Sequence, residues 1–230
     1  MNKVQRVERH IIKSIDKRFN AIKEVCHNSK NLYNYANYLL RQNFITQKSI
    51  PKEYELSTNL TKENQIDYRN LPSQTAGQVI KLLYKNYKSF FKSLRSYQKD
   101  KAKFTSKPKL PKYKAKNGVN VVIFTNQQLK IKNSQSLTKI YFPKTANGKS
   151  LDLKPLITKI DFKTSSLKQV RFIPKSTCFI VEVVYECEIW PINVIENSFI
   201  ILDLGLNNFV TAIDNQSKQP LLSMAELLRA

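Results

Sequence analysis

Residues 200–215 read "IILDLGLNNFVTAIDN": an aliphatic run with one carboxylate in its middle, a pair of asparagines, and a second apolar run. Short aliphatic and β-branched stretches bounded by turn-forming residues are strand signals. "IILDLGL" therefore predicts a buried strand, Asn207 and Asn208 a tight turn, and "FVTAID" a second, antiparallel strand, with "DNQSKQ" turning again. At a period of two, Ile201, Asp203 and Gly205 share one face while Leu202, Leu204 and Leu206 share the other. Asp203 then stands away from the leucines, beside a glycine that leaves space in front of it. A carboxylate so placed costs free energy unless it is paired, hydrogen-bonded or bound to a metal.

Upstream of this stretch, "VNVVIFT", "QLKIK", "LTKIYF", "LITKID", "KQVRFI" and "CFIVEVVYE" are short β-branched or aromatic segments broken by Asn, Ser, Pro and Gly clusters. That is the pattern of an antiparallel sheet or small barrel. Glu182, Glu186 and Glu188 fall on one parity, which predicts a shared solvent-facing side rather than a metal cluster. Pro191 and "NVIEN" separate this β part from residues 200–215.

The first hundred residues have a different period. Phe19, Ile22, Cys26, Ser29, Leu32, Tyr33, Ala36, Leu39, Leu40 and Phe44 recur near helical spacing, predicting an amphipathic helix of about seven turns. Pro51 and "STNLTKENQ" mark a connection, and a second long helix begins after Leu71-Pro72 with Ser73 as its N-cap. The second helix has an apolar face of Ala76, Val79, Leu83, Tyr87, Phe90, Leu94 and Tyr97.

Its other face carries Lys81, Lys85, Lys88, Lys92, Arg95 and Lys99, whose spacing stacks six cations along a stripe about 27 Å long. A solvated helix face normally mixes Glu with Lys, because like charges at i and i+4 repel. Between residues 68 and 151 there is a single acid, Asp100, against nineteen Lys and Arg. The stripe is therefore read as a phosphate-binding surface, where counterion release drives association. "KDKAKFTSKPKLPKYKAKNG", residues 99–118, continues the basic run. Pro108 and Pro111 prevent a helix there, and Phe104, Leu110 and Tyr113 alternate with Lys107, Lys109, Lys112, Lys114 and Lys116. That mixture predicts an ordered basic strap with phosphate contacts and base stacking.

The whole chain, 230 residues with a net charge of +22, is long enough to bury a core and calls for a polyanionic partner. No apolar run reaches the roughly 18 residues of a spanning helix and the N-terminus lacks a signal-peptide pattern, so a cytoplasmic or nucleoid-associated location is expected, without a membrane partner. Cys26, Cys178 and Cys187 contain no C-x-x-C pair, which implies free thiols and no zinc site. Cys26 adjoins His27 but falls on an apolar helix face, and His10 has no catalytic context. Nothing points to a small-molecule substrate.

Taken in order, "SKNLYNYANYLLRQNF", "LPSQTAGQVIKLLYKNYKSFFKSL", "KPKLPKYK", "VVIFTNQQLKIK", "KIYFPK" and "ILDLGLNNFVTAIDN" resemble the TnpB (OrfB) proteins of bacterial insertion sequences. These are probable transposases related to type V CRISPR effectors. The resemblance runs from about residue 19 to about residue 222. It implies an α+β chain in which a helical recognition region is inserted into an OB-like β-barrel wedge domain, followed by the first β-hairpin of an RNase H-like, RuvC-type nuclease domain. The corresponding limits are 1–18 for the first wedge strand, 19–99 for the helical region, 100–118 for the strap, 119–192 for the wedge and 193–230 for the nuclease start.

The same resemblance implies guide-type RNA and DNA as partners, and matches Asp203, with Gly205 and Asn208 around it, to the family's first catalytic carboxylate. Phosphodiester hydrolysis of this type uses several acids to hold two Mg²⁺ ions about 4 Å apart. Downstream of Asp203 the acids here are Asp214, at a turn, and Glu226. The expectation is an orphaned ligand, Mg²⁺ only if a complete site forms, no zinc ribbon, and a truncated nuclease inactive by itself. Other readings are a nuclease-dead repressor, an enzyme completed by a second polypeptide, and a basic RNA-binding protein of ribosomal style.

Overall fold

The computed structural model describes residues 3–133, 137–188, 199–205, 208–215 and 221–224. Contacts divide the chain into two compact units, residues 1–188 and 189–230.

The first unit opens with strand β1 (Lys3–Lys13), followed by helices α1 (Phe19–Ile45), α2 (Glu53–Lys62), α3 (Ile66–Arg69) and α4 (Ser73–Lys99). The two long helices appear where apolar periodicity placed them. Ser73, however, is the first helical residue of α4 rather than its cap. Pro72 takes the capping position, without a side-chain hydrogen bond, and its carbonyl accepts from the Ala76 N–H at 2.9 Å. A fixed φ and no N–H suit proline to a helix start.

After a single 3₁₀ turn at Lys101–Lys103 the chain has no regular secondary structure apart from a turn at residues 116–117, closed by the Gly118 N–H donating to the Ala115 carbonyl at 2.9 Å, and it becomes sheet from residue 122. Strands β2 (Val122–Thr125), β6 (Ser165–Pro174) and β7 (Cys178–Glu188) join β1 in an antiparallel sheet of order β1-β7-β6-β2. Strands β3 (Lys130–Asn133), β4 (Thr138–Tyr141) and β5 (Leu156–Thr158) form a second sheet. Phe124, Phe142 and Phe172 tie the β half together, with ring centroids 5.0, 5.1 and 5.4 Å apart in edge-on and tilted contacts. Among the described residues these are open sheets and no barrel closes, because β1 and β2 remain edges of the larger one.

Glu182 corrects the solvent-facing reading of its strand. It is only 5% exposed, because Arg9 and Arg171 stand directly opposite it on the two neighbouring strands. Arg9 Nε donates to Oε1 at 3.0 Å, while an Arg171 terminal nitrogen approaches Oε2 to 2.5 Å outside hydrogen-bonding geometry, so the second contact is coulombic. Glu186 is held by Lys168 at 3.1 Å and Lys3 at 3.8 Å, and Glu188 is exposed.

In the second unit, β8 (Ile200–Asp203), β9 (Asn208–Asp214) and β10 (Leu221–Met224) form an antiparallel sheet of order β10-β9-β8. The two strands pair antiparallel as expected, but β8 ends at Asp203, Asn208 belongs to β9 rather than to the turn, and β8 is not buried. Ile200, Ile201 and Leu202 are each about 60% exposed, since no second layer covers the strand among the described residues. Leu206, Asn207, Pro191, "NVIEN" and Glu226 lie outside the described residues.

The strap is fixed by α1. Lys30, Asn34, Asn37 and Arg41, spaced by four, three and four, form one line along that helix. The Lys30 ammonium donates to the Lys116 carbonyl at 2.7 Å, and Asn34 brackets Lys114 by donating to its carbonyl at 2.9 Å and accepting from its N–H at 2.8 Å. Asn37 and Arg41 both donate to the Pro111 carbonyl, at 3.0 and 2.9 Å. The rises match: eleven helical residues and five extended ones each span about 16 Å. Further along, Ser29 donates to the Val121 carbonyl at 2.8 Å and the Asn120 N–H to the Cys26 carbonyl at 3.0 Å, which delivers the chain into β2. Asn37 is wholly buried, and its carbonyl oxygen accepts from the Tyr87 hydroxyl of α4 at 2.9 Å.

Replacing Asn37 by Leu leaves the Tyr87 hydroxyl buried without its partner and removes a bond to the strap. A loss of about 1–3 kcal/mol is expected, measured by denaturant midpoint, with faster hydrogen exchange of the strap amides. Burial pushes the Tyr87 phenol from 10.0 up to about 12. The folded chain then keeps a proton that the unfolded chain loses above pH 10, so this contribution is complete below pH 10 and disappears as pH rises to about 12. Thermal melts of Tyr87→Phe are expected to start lower at neutral pH, by about 1 kcal/mol for the lost hydrogen bond, and to fall less steeply across that alkaline window.

Candidate nucleic-acid interface

Helix α4 turns its aromatic and aliphatic side inward, with Ala76, Val79, Ile80, Leu83, Tyr87 and Phe90 buried. Leu94 and Tyr97 are partly buried. The inward face leaves Lys81, Lys85, Lys88, Lys92, Arg95 and Lys99 exposed along the opposite side. None of the six has a carboxylate within ion-pair distance among the described residues. Asp100, which follows the helix, is 3.3 Å from Lys103 and accepts from the Ala102 N–H at 3.0 Å, and Glu53 and Glu55 of α2 act on Tyr84 of α4 without pairing with the stripe. An unneutralised stripe on a rigid helix can do one thing well, which is to track a row of phosphates.

The strap carries Lys107, Lys109, Lys112, Lys114 and Lys116 on its exposed side. Its three apolar residues divide in role. Leu110 packs on the core, and Phe104 meets the Tyr97 ring edge-on at 5.7 Å, so both anchor the strap instead of serving as stacking platforms. Tyr113 alone stays exposed, at 46%, with the Arg41 guanidinium 5.1 Å from its ring centroid. Lys114 lies 5.3 Å from the ring of Tyr33. The stripe and the strap belong to one unit, joined through Tyr87, Asn37 and Pro111. Sequence reasoning missed Asn86, Ser89 and Ser93, which line the space between α4 and the strap. Their spacing of three and four was the available signal, hidden because small polar residues on a helix read as solvated.

Asp203 is exposed and lies opposite Thr211 at one end of the β8–β9 ladder. Asp214 lies opposite Ile200, three rows away, which is about 10 Å along the strand and on the other face of the sheet. The two carboxylates therefore share no ion. Among the described residues no group of three His, Cys, Asp or Glu side chains is placed to hold a metal. The donor set seen here does not fit a two-Mg²⁺ centre, and no hydrolytic step follows from it.

Cys26 is fully buried, and desolvation pushes its thiol up, so it is packing and not a nucleophile. His10 Nε2 lies 2.6 Å from a carboxylate oxygen of Glu8 on β1, a hydrogen bond within one strand and away from any cluster. Asp16 is pulled down to about 2 by hydrogen bonds from Arg18, fixing the turn between β1 and α1. No described helix is long and apolar enough to cross a membrane.

Neither a protein-family model nor a curated protein matches the chain. Among solved structures, the chain is similar in part to two Cas12f complexes. In the cryo-EM structure of a Cas12f1–sgRNA–target DNA complex, the match covers 98% of this chain and 58% of that one, at 12% identity and a TM-score of 0.43. In a CRISPR-Cas12f ternary complex it covers 90% and 48%, at 14% identity and a TM-score of 0.43. The chain thus spans about half the length of the solved chains it matches.

Proposed function

We propose that this chain is a nucleic-acid-binding module of the TnpB type, with guide-type RNA and DNA as its partners. The observation that carries the reading is the row of six exposed, unpaired cations on α4 with the basic strap held beside it. The ordered segments that resemble the TnpB family add the finer assignment. In it, α1–α4 form the helical recognition region, the two sheets of the first unit form the wedge, and residues 200–214 form the first hairpin of a RuvC-type domain. Asp203 would then mark the family's first carboxylate position, and the protein would belong to a mobile element. No cleavage is assigned to the residues described.

The electrostatic part is quantitative. A duplex carries one charge per about 1.7 Å with both strands counted, so about 27 Å of it holds about sixteen phosphates, more than enough to meet six cations from one side. Binding is expected to weaken steeply with salt. Replacing Lys85, Lys88 and Lys92 together by Gln lowers the slope of log K against log salt by about 2 to 3, read by fluorescence anisotropy on duplex DNA and RNA, with thermal stability kept or slightly raised as like-charge repulsion is relieved. A purified chain that carries no nucleic acid at low salt and binds none on titration would sink the proposal.

A further inference from the structure

An open groove of about 450 Å³ runs between α4 and the strap, within the 300–1,000 Å³ usual for small-ligand sites. Its α4 wall is polar and small. The hydroxyls of Ser89 and Ser93 make no hydrogen bond to other described residues, and Asn86 donates to the Tyr33 hydroxyl at 3.2 Å. The strap wall supplies Lys109, Lys112 and Lys114, and no carboxylate lines the groove. At the mouth stands Tyr113, nearly half exposed and steadied by Arg41.

Lysines and hydroxyls serve the phosphates of a duplex as well as those of a single strand. The exposed ring beside them is what a duplex cannot use, because paired bases keep their faces stacked inside the helix. A single strand presents both parts at once, a base face for the ring and phosphates for the lysines and hydroxyls. The groove is also continuous with the strap but set on a different flank of α4 from the Lys81–Lys99 stripe. Ser89 and Ser93 stand roughly 80–120° round the helix from it at 100° per residue.

We infer that the α4–strap groove holds an unpaired nucleotide of a single strand, its base against Tyr113 and its phosphates on Lys109, Lys112 and Lys114. This rests on the nucleic-acid reading above and assigns the stripe and the groove to different parts of one ligand, paired and unpaired.

The test compares an oligouridylate and an oligothymidylate of about ten nucleotides with a blunt duplex of equal length, using the full chain at low salt. Tyr113→Ala is expected to weaken single-strand binding about 5- to 100-fold and duplex binding less than twofold, with the salt slope unchanged because no charge is lost. Ser93→Asp, which leaves every aromatic contact in place, is expected to weaken the single strand selectively as well. Tyr113→Trp should keep the affinity and show fluorescence quenched by the single strand, measured against the parent chain with its own Trp190. Equal losses for both ligands in Tyr113→Ala and Ser93→Asp, or no loss in either, would overturn the inference. So would quenching of Tyr113→Trp by polyglutamate as strong as by the oligonucleotides, which would make the groove a general anion or acidic-peptide site. A parent chain that binds no nucleic acid fails the proposed function itself, whereas one that binds with indifferent groove variants fails only this assignment.

Discussion

The line of side chains from Lys30 to Arg41 on α1 is the constraint on which the first unit depends. An extended segment with two prolines cannot hydrogen-bond to itself, and its carbonyls must find donors elsewhere. Here four helical side chains supply them in register, because the rise of eleven helical residues equals that of five extended ones. Pro111 gives up no N–H that would need an acceptor, and its carbonyl takes two donors. The same ladder, continued through Ser29 and the Cys26 carbonyl, hands the chain into β2. Helices and sheet are thus joined by polar contacts as well as by packing.

That arrangement has an energetic consequence. Lys30, Ser29 and Asn37 are buried polar groups, each costly to desolvate unless bonded. Bonded, they are specific, since a shift of the strap by one residue would take the Lys116 and Pro111 carbonyls away from Lys30 and Asn37. The strap is therefore positioned to within a hydrogen bond's tolerance despite having almost no secondary structure, and the walls of the groove are set before any ligand arrives. Preorganisation of this kind reduces the ordering cost of binding.

Much of this was legible in the sequence and some was not. Apolar periodicity located α1 and α4, and alternating β-branched runs located β2 to β7, because those signals are local. The cation stripe was equally visible, since six positions on one helix face need no tertiary knowledge. The ladder was not visible. Lys30, Asn34 and Asn37 look like an ordinary polar face until the partner segment, some eighty residues away, is laid against them. Glu182 was misread for the same reason, as parity gives the side of a sheet but not the arginines opposite. The exposure of Ile200, Ile201 and Leu202 was misread in the other direction: hydrophobicity says what a strand would bury, while burial requires a covering layer.

Charge is distributed with the same logic. Three acids of the first unit neutralise scaffold cations: Glu182 between Arg9 and Arg171, Glu186 between Lys3 and Lys168, and Asp16 against Arg18. Several cations of the four-stranded sheet and its entry turn are thereby paired. Along α4 and the strap no such pairing occurs among the described residues, apart from Asp100 with Lys103 at the junction. Leaving like charges three and four residues apart costs a few tenths of a kcal/mol per pair in the free helix, and α4 tolerates this because its opposite face is buried against α1. The repulsion is relieved only when an anion of matching charge density lies along the stripe. Stability supplied by packing on one face of α4 is what allows the other face to remain electrostatically unsatisfied, and so ready to bind.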